Sequence, residues 1–346
     1  MEKSCRIVYF DYMRVFATFA VIILHISAQN WYSANVNGFE WHVFNVFDSA
    51  VRWCVPVFVM ISGALFIDKD LSVRIIYSKY ILRLAVAFVV WSAIYACFVK
   101  DSLTNKFFAF VKGHYHMWFI LMIACLYMCI PIIKLIAYDK SKSIYYFVLA
   151  LFFTFVVPES LTLLNDLGGA MARKLADALS KDVSNMYMHF VLGYTFYFLL
   201  GYYLNKISLS KKLRLIIYLL GLANFFIIVK LNSIVALKTQ APCGHYYSNF
   251  YIHVLLEAIA VFVFFKHRRF STGKYYAIIQ KLSKYSFGAY IVHPLIIEQL
   301  NIHLRLNTMS FNPILAVLCL SVIVFIVSFV ISAILNNIPF VNKYLV

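Results

Sequence analysis

An arginine and a histidine on one apolar segment near the start of the chain are the residues best suited to chemistry. Arg14 and His25 lie eleven residues apart in the stretch DYMRVFATFAVIILH. Eleven residues are close to three helical turns, so in a helix both side chains share one face, about 16 Å apart along the axis. Asp11 precedes Arg14 by three residues, a spacing that permits an ion pair. The pattern indicates a polar stripe along an apolar helix, as expected for a solvated or ligand-filled path.

A simpler interpretation of the same two residues has no chemistry in it. Arg14 would extend its guanidinium to the lipid headgroups, and His25 would lie at the membrane interface. We favour the functional interpretation because an ionisable side chain inside an apolar span costs free energy and is retained for a reason.

Further ionisable side chains interrupt the later apolar segments. Arg52 follows Asp48 by four residues, and His293 directly precedes Pro294. Glu257 lies one helical turn after His253, so the two could bond to each other. The remaining candidates are His116, Trp118, His189 and Glu298, which lie near the outer ends of their predicted spans, as Arg52 and His253 do. For each histidine a packing role is about as common as a chemical one, and tryptophans are more often belt or packing residues.

The elements that must position these residues are membrane helices. Hydrophobic residues make up 63% of the 346 residues and charged residues 13%, whereas ordinary globular chains are about 45–50% apolar. Apolar runs near 20 residues match the thickness of a bilayer, and helices satisfy the backbone there. We predict an all-α polytopic membrane protein with ten spans, near residues 7–28, 50–67, 81–99, 117–137, 143–158, 188–204, 214–231, 249–265, 285–301 and 313–335.

The placement of the positive charges predicts topology rather than nucleic-acid binding. The net charge is +17, and most Lys and Arg residues lie in short segments between apolar runs. With the N-terminus inside, 18 of the 31 fall in inner segments and 8 in outer segments, which favours cytoplasmic termini. The longest outer segment, near 159–187, is expected to form a small cap. Arg74, Lys79 and Arg83 fit this bias and would equally suit a polyanion such as a nucleotide diphosphate.

The cysteines and the N-terminal segment add two expectations. The seven cysteines are an odd number with no CxxC pair, so neither a disulfide framework nor a metal site is expected. The first apolar segment lacks a small-residue cleavage site, so we expect it to be retained as a helix rather than removed as a signal peptide.

Four segments in order resemble the integral-membrane acyltransferase family 3, bacterial enzymes that O-acylate surface glycans. They are the Arg14–His25 stretch, RWCVPVFVMISGALF from Arg52, HMWFILMIACLYMCIP from His116 and YSFGAYIVHPLI from Tyr285. Members often carry Arg-x-x-Arg near the third span. Here the stretch is KYILR, with Tyr80 in the first arginine position; Lys79 could substitute, but it lacks the planar fork of arginine.

The resemblance implies one transmembrane acyltransferase domain over residues 1–346, of the stand-alone type, in the bacterial cytoplasmic (inner) membrane. It implies acetyl-CoA or another acyl-CoA as the donor, entering from the cytoplasm, and a sugar hydroxyl of a surface or lipid-linked glycan as the acceptor. His25 would be general base or transient acyl carrier, Arg14 would line the donor path, and Asp11 would orient Arg14. The donor would contact Arg14, Arg74, Lys79 and Arg83. The acceptor would contact Arg52, His116, Trp118, His293 and Glu298.

Three other functions fit parts of the sequence. A secondary transporter or flippase for a glycan or lipid precursor also has many spans and midplane charges, but no internal repeat or paired broken helices are evident. A haem-binding electron carrier would need histidines that face one another on two helices. A passive scaffold gives no reason to bury Arg14, His25 and Glu257.

Overall fold

The computed structural model describes residues 6–99 and 102–346, and over these ranges it contains helices and no β-strand. The helices are α1 Val8–Ser27, α2 Phe39–Ser49, α3 Cys54–Phe66, α4 Val73–Ile75, α5 Leu82–Phe98, α6 Leu103–Lys112, α7 Trp118–Met128, α8 Ile130–Ala137, α9 Lys140–Ala150, α10 Val157–Leu167, α11 Ala170–Asn185, α12 Met188–Lys206, α13 Lys211–Thr239, α14 Ile252–His267, α15 Lys274–Leu304, α16 Pro313–Leu335 and α17 Pro339–Tyr344. Two π-helical segments, Ile76–Ile81 and Leu151–Val156, join α4 to α5 and α9 to α10.

The all-α polytopic membrane fold is confirmed. Seven largely helical segments in the described ranges are long and apolar enough to cross a bilayer, and the pair α7 and α8, bent by 61°, makes an eighth if it is one span. Helices α12 and α15, which coincide with the predicted spans 188–204 and 285–301, are not among the seven. The count of ten spans and the cytoplasmic position of the termini therefore remain predictions.

Two segments are more helical than the sequence indicated. The second span was predicted to begin at residue 50, but helix begins at Phe39 and is interrupted only at residues 50–53. The outer segment near 159–187 is not a loop, because α10 and α11 occupy most of it and meet at the Gly168–Gly169 turn. Their polar faces, including a bond from Asn165 Nδ2 to Asp177 Oδ1 at 3.2 Å, concealed these helices from an apolar-run criterion.

Helix α1 lies at the centre of the bundle. It packs against α2, α3, α14, α15 and α16, and residues on several of its faces, such as Met13, Val21 and Ile26, are buried. Because neighbouring helices surround it, the polar side chains of α1 face protein rather than lipid.

The inner end of α1 is tied to α15 through Asp11. Its carboxylate accepts bonds from Arg6 at 2.6 and 2.8 Å, from Tyr276 Oη at 2.8 Å and from Ser283 Oγ at 2.7 Å. The nearest guanidinium nitrogen of Arg14 is 3.9 Å away. The expected Asp11–Arg14 pair is therefore long, and the close partners of Asp11 are Arg6 and two residues of α15.

A glycine-mediated crossing of α3 and α12 positions α3. A Cβ atom on Gly63 would overlap the backbone of Phe198, and one on Gly201 would overlap the backbone of Met60. Small residues allow membrane helices to approach this closely, which favours dense packing where water does not drive association. Helix α3, which begins shortly after Arg52 in the chain, is therefore held against α12 along its second half.

We predict that Gly63→Ala destabilises the fold. The added methyl group has to push two backbones apart, which typically costs about 1–3 kcal/mol. The measurement is thermal unfolding of the purified protein in detergent micelles. Gly169→Ala is the control, because nothing lies within 4 Å of a Cβ at that position; equal losses of stability in both variants would contradict the tight crossing.

Two buried glutamates have opposite surroundings, and the expected bond between His253 and Glu257 is absent. His253 instead bonds Asn224 Oδ1 at 2.9 Å and lies 2.7 Å from Glu159 Oε1. The other oxygen of Glu159 accepts the Ile252 backbone N–H at 2.6 Å. Both oxygens of Glu257 are buried without a hydrogen-bond partner, beside an apolar crevice between α1, α13 and α14.

We predict opposite stability changes for leucine at these two positions. Glu257→Leu removes a desolvated carboxyl that no group compensates and should raise the melting temperature. Glu159→Leu deprives Ile252 and His253 of an acceptor and should lower the free energy of unfolding by about 1–3 kcal/mol. The same detergent unfolding assay compares them, and a destabilised Glu257→Leu protein would show that this carboxyl has a partner in the membrane.

Candidate active site

A cavity of about 220 Å³ lies among α1, α3, α7 and α15. Four of the residues singled out from the sequence line it: His25, Arg52, His116 and Trp118. They come from three helical segments far apart in the chain, so the fold brings together side chains that the sequence could only place at similar depth. Arg14 does not line this cavity.

Arg52 reaches the cavity because the helix is broken at residues 50–53. Its Nη2 bonds Asp48 four residues earlier, and its guanidinium lies over the Tyr247 ring, 3.9 Å from the centroid. Among the described residues its Nε has no hydrogen-bond partner. Asp48 and Tyr247 thus fix the position of the Arg52 guanidinium, and its Nε–H is left free to donate. A positive group of this kind can stabilise negative charge on a bound oxygen.

His293 lies behind the cavity wall and does not line the cavity. Pro294 has no backbone N–H, so the carbonyl of Tyr290 loses its helical partner. The Nδ1 of His293 bonds that carbonyl oxygen at 2.6 Å, and since a carbonyl only accepts, Nδ1 must carry the proton. The His293 ring is fully buried and lies 5.1 Å from the ring of His25, centroid to centroid. The structure therefore places the predicted acceptor contact one layer behind the cavity wall.

Glu298 is connected to the cavity through a histidine that the sequence analysis missed. Its Oε1 lies 2.8 Å from Nε2 of His114, and Nδ1 of His114 lies 3.0 Å from Nδ1 of His116. Tyr95 stacks on His114 with centroids 4.1 Å apart, and Tyr290 Oη donates to the His116 carbonyl. The available signal was the pair of histidines two residues apart just before Trp118.

The residues expected to bind the donor lie elsewhere on the bundle. Arg74 and Lys79 are exposed, and Lys79 belongs to the π-helical segment, a local widening often found at functional sites. Arg83 is partly buried, and its Nη2 donates to the Val346 backbone oxygen at 2.5 Å. Arg83 therefore holds the C-terminal segment against α5, while Arg74 and Lys79 keep free faces.

Arg14, Lys69 and Lys79 lie close enough for their charges to interact, and we call them the basic cluster. Lys69 lies over the ring of Phe66 and Lys79 over the ring of Tyr80, and these two rings are 5.0 Å apart. Burial lowers the pKa of Lys69, and the positive charges of Arg14 and Lys79 lower it further. Lys69 was counted in the sequence only as a loop charge. Such mutual repulsion is relieved when an anion binds, so the basic cluster is suited to a phosphate-bearing ligand.

The chain thus has two chemically distinct regions joined by α1. The cavity offers imidazoles for proton transfer and a guanidinium for a developing oxyanion. The basic cluster offers charge for a polyanion. Arg14 in the cluster and His25 in the cavity are about 16 Å apart along the helix.

Comparison with family models identifies the class of protein. A model of an acyltransferase domain matches residues 7–333, which include both regions and all the site residues named above. Comparison with curated proteins and with solved structures returned no match. The chain belongs to the acyltransferase 3 family of membrane O-acyltransferases.

Proposed function

We propose that this protein transfers an acyl group, normally acetyl, from cytoplasmic acyl-CoA to a sugar hydroxyl of a glycan on the outer side of a bacterial inner membrane. The observation that carries the proposal is the pairing of a cavity containing His25 and Arg52 with a basic cluster that includes Arg14, which is on the same helix as His25. Membership of a membrane O-acyltransferase family supplies the reaction class.

The basic cluster is the proposed contact for the phosphates of coenzyme A. Arg14, Lys69 and Lys79 would attract the polyanion, with Arg74 at the exposed edge. The pantetheine arm would then follow α1 toward His25, a distance of about 16 Å. Thr18, buried on the same stretch of α1 with its hydroxyl bonded to the Arg14 carbonyl at 2.8 Å, lies between the two ends.

The cavity is the proposed place of acyl transfer. The sugar oxygen forms a bond to the thioester carbonyl carbon, and the carbon–sulfur bond then breaks to release coenzyme A. Arg52 stabilises the negative oxygen that develops between these steps. His25 lies at the thioester, where an imidazole serves as base or as acyl carrier. Trp118, 43% exposed, offers an aromatic face for the apolar side of a sugar ring.

We expect His25→Ala to lower kcat for acetyl transfer by about 10²–10⁴-fold while acetyl-CoA still binds. The reason is that the imidazole acts at the reacting atoms and not on the phosphates. Transfer is measured with radiolabelled acetyl-CoA in membranes that contain equal amounts of protein. His303→Ala, an exposed histidine in the last turn of α15, is the matched control.

Retained transfer in the His25→Ala protein would remove His25 from the mechanism. If wild-type protein in proteoliposomes moved a lipid-linked sugar across the bilayer and left it unmodified, the alternative function of a transporter would replace the proposed acyl transfer.

Donor binding should weaken as the pH rises through the lowered pKa of Lys69. The protonated amine binds the phosphates, and a lowered pKa means that this charge is lost at a lower pH than for an ordinary lysine. The dissociation constant of acetyl-CoA, titrated against pH, measures the effect. Lys69→Gln should bind more weakly at neutral pH and lose this pH dependence. Lys212→Gln, on α13 outside the basic cluster, should behave like wild type; an unchanged profile in Lys69→Gln would contradict the assignment.

A further inference from the structure

Three side chains form a line from the surface to the active-site cavity. Glu298 is at the surface with 38% of its side chain exposed, His114 is 17% exposed, and His116 is 2% exposed. The hydrogen-bonded distances are 2.8 Å from Glu298 to His114 and 3.0 Å from His114 to His116. His116 is itself one of the residues that line the cavity, and its Nε2 is buried with no hydrogen-bond partner in the part of the chain that the structure describes.

The chemistry of these groups gives the line a direction. An ionised carboxylate only accepts, so Nε2 of His114 carries the proton toward Glu298. In a neutral His114 the other nitrogen, Nδ1, is then an acceptor. The proton between the two rings must therefore belong to Nδ1 of His116. A neutral His116 in this tautomer has its lone pair on Nε2, the nitrogen without a partner.

We propose that His116 is the base that takes the proton of the acceptor hydroxyl, and that Glu298 and His114 are positioning residues that hold it in the required tautomer. The proposal rests on the proposed function and assigns a role within it. A base oriented by a second group and a carboxylate is the arrangement that activates oxygen nucleophiles in hydrolases on unrelated folds.

His25 lacks such an orienting contact. Its interactions within the described residues are ring contacts with Tyr115 and His293, at centroid distances of 5.2 and 5.1 Å. It also lies on α1, the helix whose other end belongs to the basic cluster, so it is on the donor side. His116 comes two residues before Trp118 and is on the acceptor side. The division leaves His25 to the thioester and His116 to the sugar.

The proposed step balances without an outside acid or base. Nε2 of His116 accepts the hydroxyl proton as the sugar oxygen bonds to the carbonyl carbon. Glu298, acting through His114, stabilises the imidazolium that forms. When the carbon–sulfur bond breaks, the same proton passes to the thiolate, so the products are the ester and coenzyme A in its thiol form.

The test compares two acceptors with acetyl-CoA as the donor. One is surface polysaccharide from cells that lack the protein, whose hydroxyl needs a base. The other is hydroxylamine, which attacks thioesters without help from a base and forms acetohydroxamate. His116→Ala should lower transfer to the polysaccharide by about 10²–10⁴-fold and leave hydroxamate formation within a few-fold of wild type. His25→Ala should lose transfer to the polysaccharide and should lower hydroxamate formation to the rate measured without protein.

Glu298→Gln supplies a readout that a merely structural role would not move. The amide still accepts a bond from His114, so the geometry is kept, but the negative charge is gone. Loss of that charge lowers the basicity of His116. We therefore expect kcat for the polysaccharide to fall, and the acid limb of the pH profile of kcat to move to lower pH. The other titratable or charged groups around His116 stay in place: His25, Arg52, Tyr95, Tyr115, Tyr290 and His293.

Each outcome bears on one claim. Equal loss of both acceptors in His116→Ala would overturn the base assignment and make His116 a structural residue. An unmoved pH profile in Glu298→Gln would overturn the positioning role. Wild-type protein that raises neither product above the rate measured without protein would contradict the proposed function itself, which is a different outcome from the two above.

Discussion

The structure depends on one constraint: leaving an ionisable side chain unpartnered inside an apolar bundle is costly, so groups such as Asp11, His114 and His253 are paired with residues of other helices. Water and lipid offer no substitute there, and an unpartnered polar group is costly. Helix α1 meets the constraint by lying at the centre, with α2, α3, α14, α15 and α16 around it. Its polar side chains therefore face protein, and the helices that surround them define the active-site cavity.

Irregular backbone places the functional groups within that constraint. The break at residues 50–53 brings Arg52 to the cavity wall, and Pro294 frees the carbonyl that fixes His293. The π-helical segment at 76–81 carries Lys79 of the basic cluster. Each irregularity removes or shifts a backbone hydrogen bond, and each is found where a side chain must be oriented rather than merely packed.

The two regions joined by α1 differ in the groups that they contain. The basic cluster is rich in cations, whereas the cavity contains two imidazoles and one guanidinium held by Asp48. Such a division suits a reaction whose donor is a polyanion and whose reacting atoms are not. The proposed function would account for a partly buried arginine and a partly buried histidine on one helix.

The sequence by itself determined the helical class, the approximate position of most helices, the family and four of the residues that line the cavity. These features are local patterns that can be recognised in the sequence without the tertiary structure. They are the apolar runs and the motifs around Arg14, Arg52, His116 and His293. Helices α10 and α11 were not predicted, because their polar faces interrupt the apolar runs by which helices were located. The start of α2 at Phe39 was not predicted either, because the helical segment continues through the interruption at residues 50–53.

Only the tertiary structure decided which polar groups meet. Asp11 bonds Arg6, Tyr276 and Ser283 more closely than Arg14, and His253 bonds Asn224 instead of Glu257. The line from Glu298 through His114 to His116 crosses 184 positions of the chain. Spacing along one helix predicts a shared face, but a hydrogen bond needs two atoms within about 3 Å and aligned. Between helices, that alignment is set by how they pack.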